Sequence, residues 1–162
     1  MFSVKKLSGA IGAELAGVDL TNNLSEEILV SINEHLVKHE VVFFRDQDIS
    51  WEQHVKLGKF FGPLQSHPAY NSPPNYPEIT ILESTKDNPS KIECWHTDMT
   101  FLKNPPLCSI LRSKICPSKG CDTMWSSMTA AYESLSSYMK KYLKEINAEH
   151  HFFHGFKYKN YK

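Results

Sequence analysis

The chain has 162 residues, 41% of them apolar and 22% charged. That is enough for one domain with its own core and too apolar for disorder. Eighteen basic residues balance eighteen acidic ones, so no net field recommends nucleic acid or an anionic membrane as a partner. No stretch approaches the roughly 20 apolar residues of a membrane span. Glu14 and Asp19 interrupt the one apolar run near the N-terminus, so no signal peptide is expected. Cys94, Cys108, Cys116 and Cys121 form no C-x-x-C pair, which argues against a zinc ribbon. Free thiols in a cytoplasmic protein are the expectation. Lys157, Lys159 and Lys162 read as a solvated tail rather than a binding patch.

In chain order, residues 4–7 and 14–20 read as short strands joined by a turn at 9–12. Ser25 is a good N-cap, and Leu24 can staple against Leu29. Ile28, Ile32 and Leu36 then repeat every four residues, the apolar stripe of a helix ending near His39. Residues 41–45 are β-branched and aromatic, a buried strand. Ser50 with Gln53 three residues on has the capping-box pattern, and that helix should stop at Gly62-Pro63. Residues 65–77 hold four prolines and should form a surface loop. Strands are expected at 78–82, 94–101, 108–115, 123–126 and 148–153, and helices at 128–135 and 136–146. Many short strands with helices early and late suggest a mainly β fold, a sandwich or barrel, with flanking helices.

The sharpest chemical signal is Trp95-His96-Thr97-Asp98. In a strand, residues i and i+2 share a face, so His96 and Asp98 would project together. On a helix the same spacing would splay them about 200° apart. One imidazole beside one carboxylate supplies two of the three ligands of a 2-His-1-carboxylate facial triad. H-x-D by itself is not specific, and a hydrogen-bonded pair at a strand end has the same pattern.

A series of further segments narrows the choice. These are Gly12-Ala13-Glu14-Leu15-Ala16-Gly17-Val18-Asp19-Leu20, His39-Glu40-Val41-Val42-Phe43-Phe44-Arg45-Asp46-Gln47, Phe61-Gly62-Pro63-Leu64 and His67-Pro68-Ala69-Tyr70. Trp95-His96-Thr97-Asp98-Met99-Thr100-Phe101 with Pro105-Pro106, then Gly120-Cys121-Asp122-Thr123-Met124-Trp125 and Ala130-Ala131-Tyr132-Glu133, complete it. Together, in this order, they resemble the N-terminal part of the taurine dioxygenase family, the TauD/TfdA-like Fe(II)- and 2-oxoglutarate-dependent dioxygenases. The resemblance implies a double-stranded β-helix, the cupin-like jelly roll, as a single domain over residues 1–162 that is incomplete at its C-terminus. It implies His96 and Asp98 as iron ligands and Thr123 as a hydrogen-bond partner of the 2-oxoglutarate carboxylate. It places His67, Tyr70 and Phe156 against a small anionic substrate. Read without it, those three are a loop histidine and tyrosine near prolines and a core phenylalanine. Phe101 reads as core, and Trp95 and Trp125 as packing residues. The implied reaction couples decarboxylation of 2-oxoglutarate to succinate, with O₂, to hydroxylation of the substrate. No nucleic acid or membrane partner is implied, and a homo-oligomer is compatible.

Three departures from the pattern carry expectations. The family's second ligand histidine and the arginine for the far carboxylate of 2-oxoglutarate fall beyond the matched region. The only arginines are Arg45 and Arg112, neither in the expected place, and His150, His151 and His154 sit in a stretch that supplies no ligand in the family. Ile92 stands where taurine-specific members carry a polar side chain, leaving alkyl sulfonates, sulfate esters and carboxylates open. Cys121 replaces a glycine, and would be strained if the backbone there needs φ > 0. Three readings follow: an active dioxygenase, a catalytically incompetent fragment of one, and a subunit completed by a second polypeptide.

Overall fold

The computed structural model describes residues 2–67, 70–89 and 94–152. Phe156, Ile92, His154 and the lysine-rich tail lie outside the described residues. Regular structure begins with β1 (Ser3–Lys6) and β2 (Ala13–Ala16), paired antiparallel from Ser3↔Ala16 to Lys6↔Ala13. Helix α1 (Glu26–His39) leads to β3 (Val42–Phe43), which lies parallel to β2 with Ala13 opposite Val42. The sheet order is β1-β2-β3. Helices α2 (Trp51–Phe61), α3 (Met128–Glu133) and α4 (Ser137–Lys144) follow. No described helix is long and apolar enough to cross a membrane.

The helix starts were written in local chemistry. Ser25 Oγ accepts from the Ile28 amide, and Ser50 and Gln53 form a reciprocal capping box. Ser127 and Ser136 cap α3 and α4 in the same way. Glu40 ends α1 in the left-handed region at φ 63°, its amide bonded to the Leu36 carbonyl at 2.7 Å. α2 ends at Gly62, as expected.

Core packing joins β2 to α1. Leu15, Val18 and Ile32 are buried together, with Phe2, Leu20, Leu24, Val42, Phe44 and Phe61 packed around them. Ala13 and Leu15 point inward from β2, while Glu14 between them reaches Arg45 at 3.2 Å. Of the expected α1 stripe, Ile32 is fully covered, but Ile28 is exposed.

β2 is shorter than the sequence suggested because the backbone turns left-handed directly after it, with Gly17 at φ 93°, a conformation that does not continue a ladder. β3 stops at Phe43, two residues short of the expected end. The Gln47 side chain takes over the cross-linking. It donates to the Val18 carbonyl at 3.0 Å and the Arg45 carbonyl at 2.7 Å, and it accepts from the Leu20 amide at 2.7 Å.

The larger correction concerns the later strands. Residues 78–82, 94–101, 108–115 and 123–126 run as irregular or turning backbone, as do 148–151 of the last expected strand. A strand exists only through a neighbour that accepts and donates its hydrogen bonds, and no ladder reaches these segments among the described residues. Several of their large apolar side chains are accordingly uncovered, Trp95 at 68% exposed, Met124 at 71% and Ile115 at 94%, although Ile79 is buried. Trp95 is thus not the packing residue the sequence suggested, whereas Trp125 does pack, edge-on to Phe43 at 5.3 Å.

One of these segments keeps strand-like alternation without a ladder. Cys108, Ile110 and Arg112 are half-buried while Ser109, Leu111 and Ser113 face out. α2 and the residues just before it hold the inward set. His54 Nε2 donates to the Ile110 carbonyl at 3.1 Å, and Arg112 donates to the Ile49 carbonyl and to Asp48. Gly58 makes room on the same helix, since a Cβ there would stand 2.8 Å from Leu64.

The His54 contact has a pH consequence. Burial is the main cause holding its pKa below the ordinary histidine value of 6.5, and nearby Arg112 adds to it. Its Nδ1 is buried with no partner, so a proton there would be an unpaired donor beside a guanidinium. The unfolded chain therefore binds the proton more readily than the folded one. Stability should be complete above 6.5 and decline as pH falls through and below that value. Urea titrations between pH 7.5 and 5 check this: His54→Gln should flatten the slope, and an equal slope in the variant would remove His54 as the cause.

Candidate metal centre

Trp95 to Asp98 enter a turn rather than a strand. Residues 98–102 turn about Met99, which has φ 56°, and the Leu102 amide donates to the Met99 carbonyl at 3.0 Å. A left-handed, non-glycine residue beside a candidate ligand is the kind of local strain that collects at functional sites. His96 Nε2 lies 3.3 Å from Asp98 Oδ1. The two side chains therefore stand together as expected, on backbone that pairs with no neighbouring strand among the described residues.

Its chemistry suits a metal. His96 Nδ1 lies 2.9 Å from the Cys94 carbonyl. A carbonyl only accepts, so Nδ1 donates to Cys94, which leaves Nε2 as the ring atom on the Asp98 side. An imidazole nitrogen and a carboxylate oxygen on one side of a segment are donor types that a divalent metal accepts. Both side chains are more than half exposed, which makes their ion pair a weak source of stability and leaves coordination faces open. Asp98 Oδ2 is oriented by the Ser109 hydroxyl at 3.4 Å. These residues fit two of a metal's protein ligands. No group of three His, Cys, Asp or Glu side chains is assembled among the described residues.

The neighbouring residues divide. The His67 and Tyr70 rings meet at a tilt of 56°, with centroids 4.7 Å apart. Burial pulls the His67 pKa down, while the charge of Asp98 pulls it up, so this pair sits within electrostatic reach of the metal turn. Thr123 is exposed in the irregular stretch 121–126. Phe156 lies outside the described residues. Both arginines are engaged elsewhere, Arg45 with Glu14 and Arg112 with Asp48 and Ile49. His150 does not join the candidate ligands; its Nδ1 is 2.7 Å from Thr100 Oγ1. Phe101 packs edge-on to Phe152 at 5.0 Å. Ser109, Met99 and the His150 contact were not singled out from the sequence as parts of this site. Only Ser109 left a signal, its outward place in the 108–113 alternation.

Cys121 lies in the left-handed region at φ 59°, beside Gly120 at φ 77°, so the strain expected from the glycine replacement is present. Cβ makes that region cost about 1–2 kcal/mol. Glycine regains part of this and loses some to its greater unfolded entropy. Cys121→Gly should raise stability by roughly 1 kcal/mol in urea unfolding, and a lower midpoint would contradict it.

This geometry stands beside direct likeness to known proteins. The model of the taurine catabolism dioxygenase TauD, TfdA family matches residues 3–161. The chain belongs to that family. It is 34% identical over 148 residues to an alkylsulfatase of Acinetobacter baylyi, covering 91% of this chain and 46% of the relative. It is 32% identical to an alpha-ketoglutarate-dependent sulfate ester dioxygenase of Pseudomonas putida, covering 91% and 48%. The fold superposes on the crystal structure of a putative alpha-ketoglutarate-dependent taurine dioxygenase from Burkholderia xenovorans. The TM-score is 0.77 at 39% identity, covering 88% of this chain and 50% of that one. The chain thus spans about half the length of the relatives it matches.

Proposed function

We propose that this chain supplies the proximal ligand pair and part of the substrate pocket of an Fe(II)- and 2-oxoglutarate-dependent dioxygenase of jelly-roll fold. Its substrate is a small anionic organic molecule, a sulfonate or sulfate ester. The observation that carries the proposal is the convergence of His96 Nε2 and Asp98 Oδ1 at 3.3 Å with His96 Nδ1 donating to the Cys94 carbonyl. The named activities of the relatives support the substrate class. A cytoplasmic location belongs to the same reading.

In this reading His96 and Asp98 hold Fe(II), whose chemistry when bound is the activation of O₂ for oxidative decarboxylation of 2-oxoglutarate and substrate hydroxylation. Ser109 fixes the second carboxylate oxygen of Asp98. Thr123 hydrogen-bonds a 2-oxoglutarate carboxylate. His67 and Tyr70, whose rings meet at a tilt, donate hydrogen bonds to the anionic head of the substrate. Burial favours the neutral form of His67, which suits a hydrogen-bond donor. Phe156 lines the pocket's apolar side.

The catalytically incompetent reading has its own support. Both arginines are occupied, and no third ligand joins among the described residues. Turnover therefore needs a further histidine and arginine, carried on another segment or another polypeptide. Anaerobic reconstitution with Fe(II) and 2-oxoglutarate, followed by O₂ and a succinate assay with alkyl sulfate and taurine, separates the readings. Iron-dependent succinate that disappears in His96→Ala establishes an active chain. Iron binding without succinate assigns it the role of an incomplete half.

A further inference from the structure

The segment after α4 lies against the metal turn. His150 Nδ1 meets Thr100 Oγ1 at 2.7 Å, and the Phe152 ring stands edge-on to Phe101 at 5.0 Å and 74°. Thr100 and Phe101 are the residues that close the turn begun at Asp98, and both are half-buried. The two contacts join adjacent turn residues to residues two apart in the segment, which fixes the segment's register as a single contact would not. They also reach across about fifty positions of sequence. The turn itself has one internal backbone bond, Leu102 to Met99, and it contains the left-handed Met99. A turn so composed needs outside support to hold its carboxylate in one place.

We infer that His150 and Phe152 form a strap that positions the metal turn, His150 through the Thr100 hydroxyl and Phe152 through the Phe101 ring. His150 is a positioning residue: its Nδ1 meets Thr100, and it joins no group of three ligand side chains among the described residues. This inference rests on the metal-centre reading proposed above. It assigns a function to the Ala148-Glu149-His150 stretch, which the ligand pattern leaves unused.

The test uses the full chain and two readouts. Hydrogen exchange at the Leu102 amide reports the turn without any metal, and calorimetric titration with Co(II) reports the ligand pair. The variants are His150→Ala, the near-isosteric Thr100→Val, the conservative His150→Asn and, as a control for the centre itself, His96→Ala. His150→Ala and Thr100→Val should each speed Leu102 exchange about tenfold and weaken Co(II) by about tenfold, the lower end for supports of a metal ligand. The double variant should be no worse than either single one, because both remove the same bond. His150→Asn should restore part of both readouts. Unchanged exchange and unchanged Co(II) affinity in His150→Ala and Thr100→Val, while His96→Ala loses Co(II), overturns the strap and leaves the metal centre standing. Co(II) affinity unaffected by His96→Ala overturns the metal centre, and the positioning role falls with it.

Discussion

His96→Ala is expected to abolish specific metal binding by this chain, weakening Fe(II) or Co(II) by more than about 100-fold, beyond the range for residues that only support a ligand. The reason is the small number of donors. His96 and Asp98 are the two that converge, and a lone exposed carboxylate holds a divalent ion no better than many on any protein surface. The ring is more than half exposed, so its removal should leave the helical circular dichroism and the urea midpoint nearly unchanged. Asp98→Asn should cause a comparable loss, since the amide keeps the shape and discards the charge. Calorimetry at fixed pH checks both variants. Affinity equal to that of the parent would place the metal elsewhere or nowhere.

The largest stability effect is expected at Arg112. Its side chain is 11% exposed, and it donates to the carbonyl of Ile49, itself buried, and to Asp48. The Asp48 carboxylate is almost fully exposed, so that ion pair contributes little. The bond to the Ile49 carbonyl and the packing of the arginine stem matter more. Arg112→Ala leaves the carbonyl unsatisfied and uncovers the stem's contacts, at a cost of about 2–3 kcal/mol. The effect should reach the candidate centre. Residues 108–112 are held to α2 by His54 and to the residues just before α2 by Arg112, and Ser109 on their outer face meets Asp98. Urea unfolding measures the first consequence and Co(II) affinity the second. A stability change below 0.5 kcal/mol, the ordinary surface range, would mean that the buried guanidinium does not anchor this segment.

The helix starts were legible because a cap is a transaction among neighbours in sequence. Ser25 reaches the amide three residues on, and Ser50 and Gln53 satisfy each other. The β1–β2 hairpin was legible for the same reason, its turn and both strands lying within the first sixteen residues. The strands at 78–82, 94–101, 108–115 and 123–126 were misread because a short segment set off by Pro and Gly turns shows only where a strand could lie. Whether it becomes a strand depends on a neighbour, and none pairs with it among the described residues. Residues 108–113 show both sides of this: the alternation is real and sets which side chains meet α2, yet no ladder forms.

The family was determined by sequence alone, and the candidate ligand pair was read from the same ordered segments, since His96 and Asp98 are one-dimensional facts. The strain at Cys121 was foreseen in the same way, from a side chain standing where the pattern has glycine. Tertiary structure alone decided how the pair meets. His96 Nδ1 meets the Cys94 carbonyl, the backbone turns left-handed at Met99 just after the pair, and Ser109 and His150 arrive from eleven and fifty residues away, Ser109 on Asp98 and His150 on Thr100. Contacts at that separation are selected by the free energy of the whole packed chain, not by any local preference, so no window of sequence contains them.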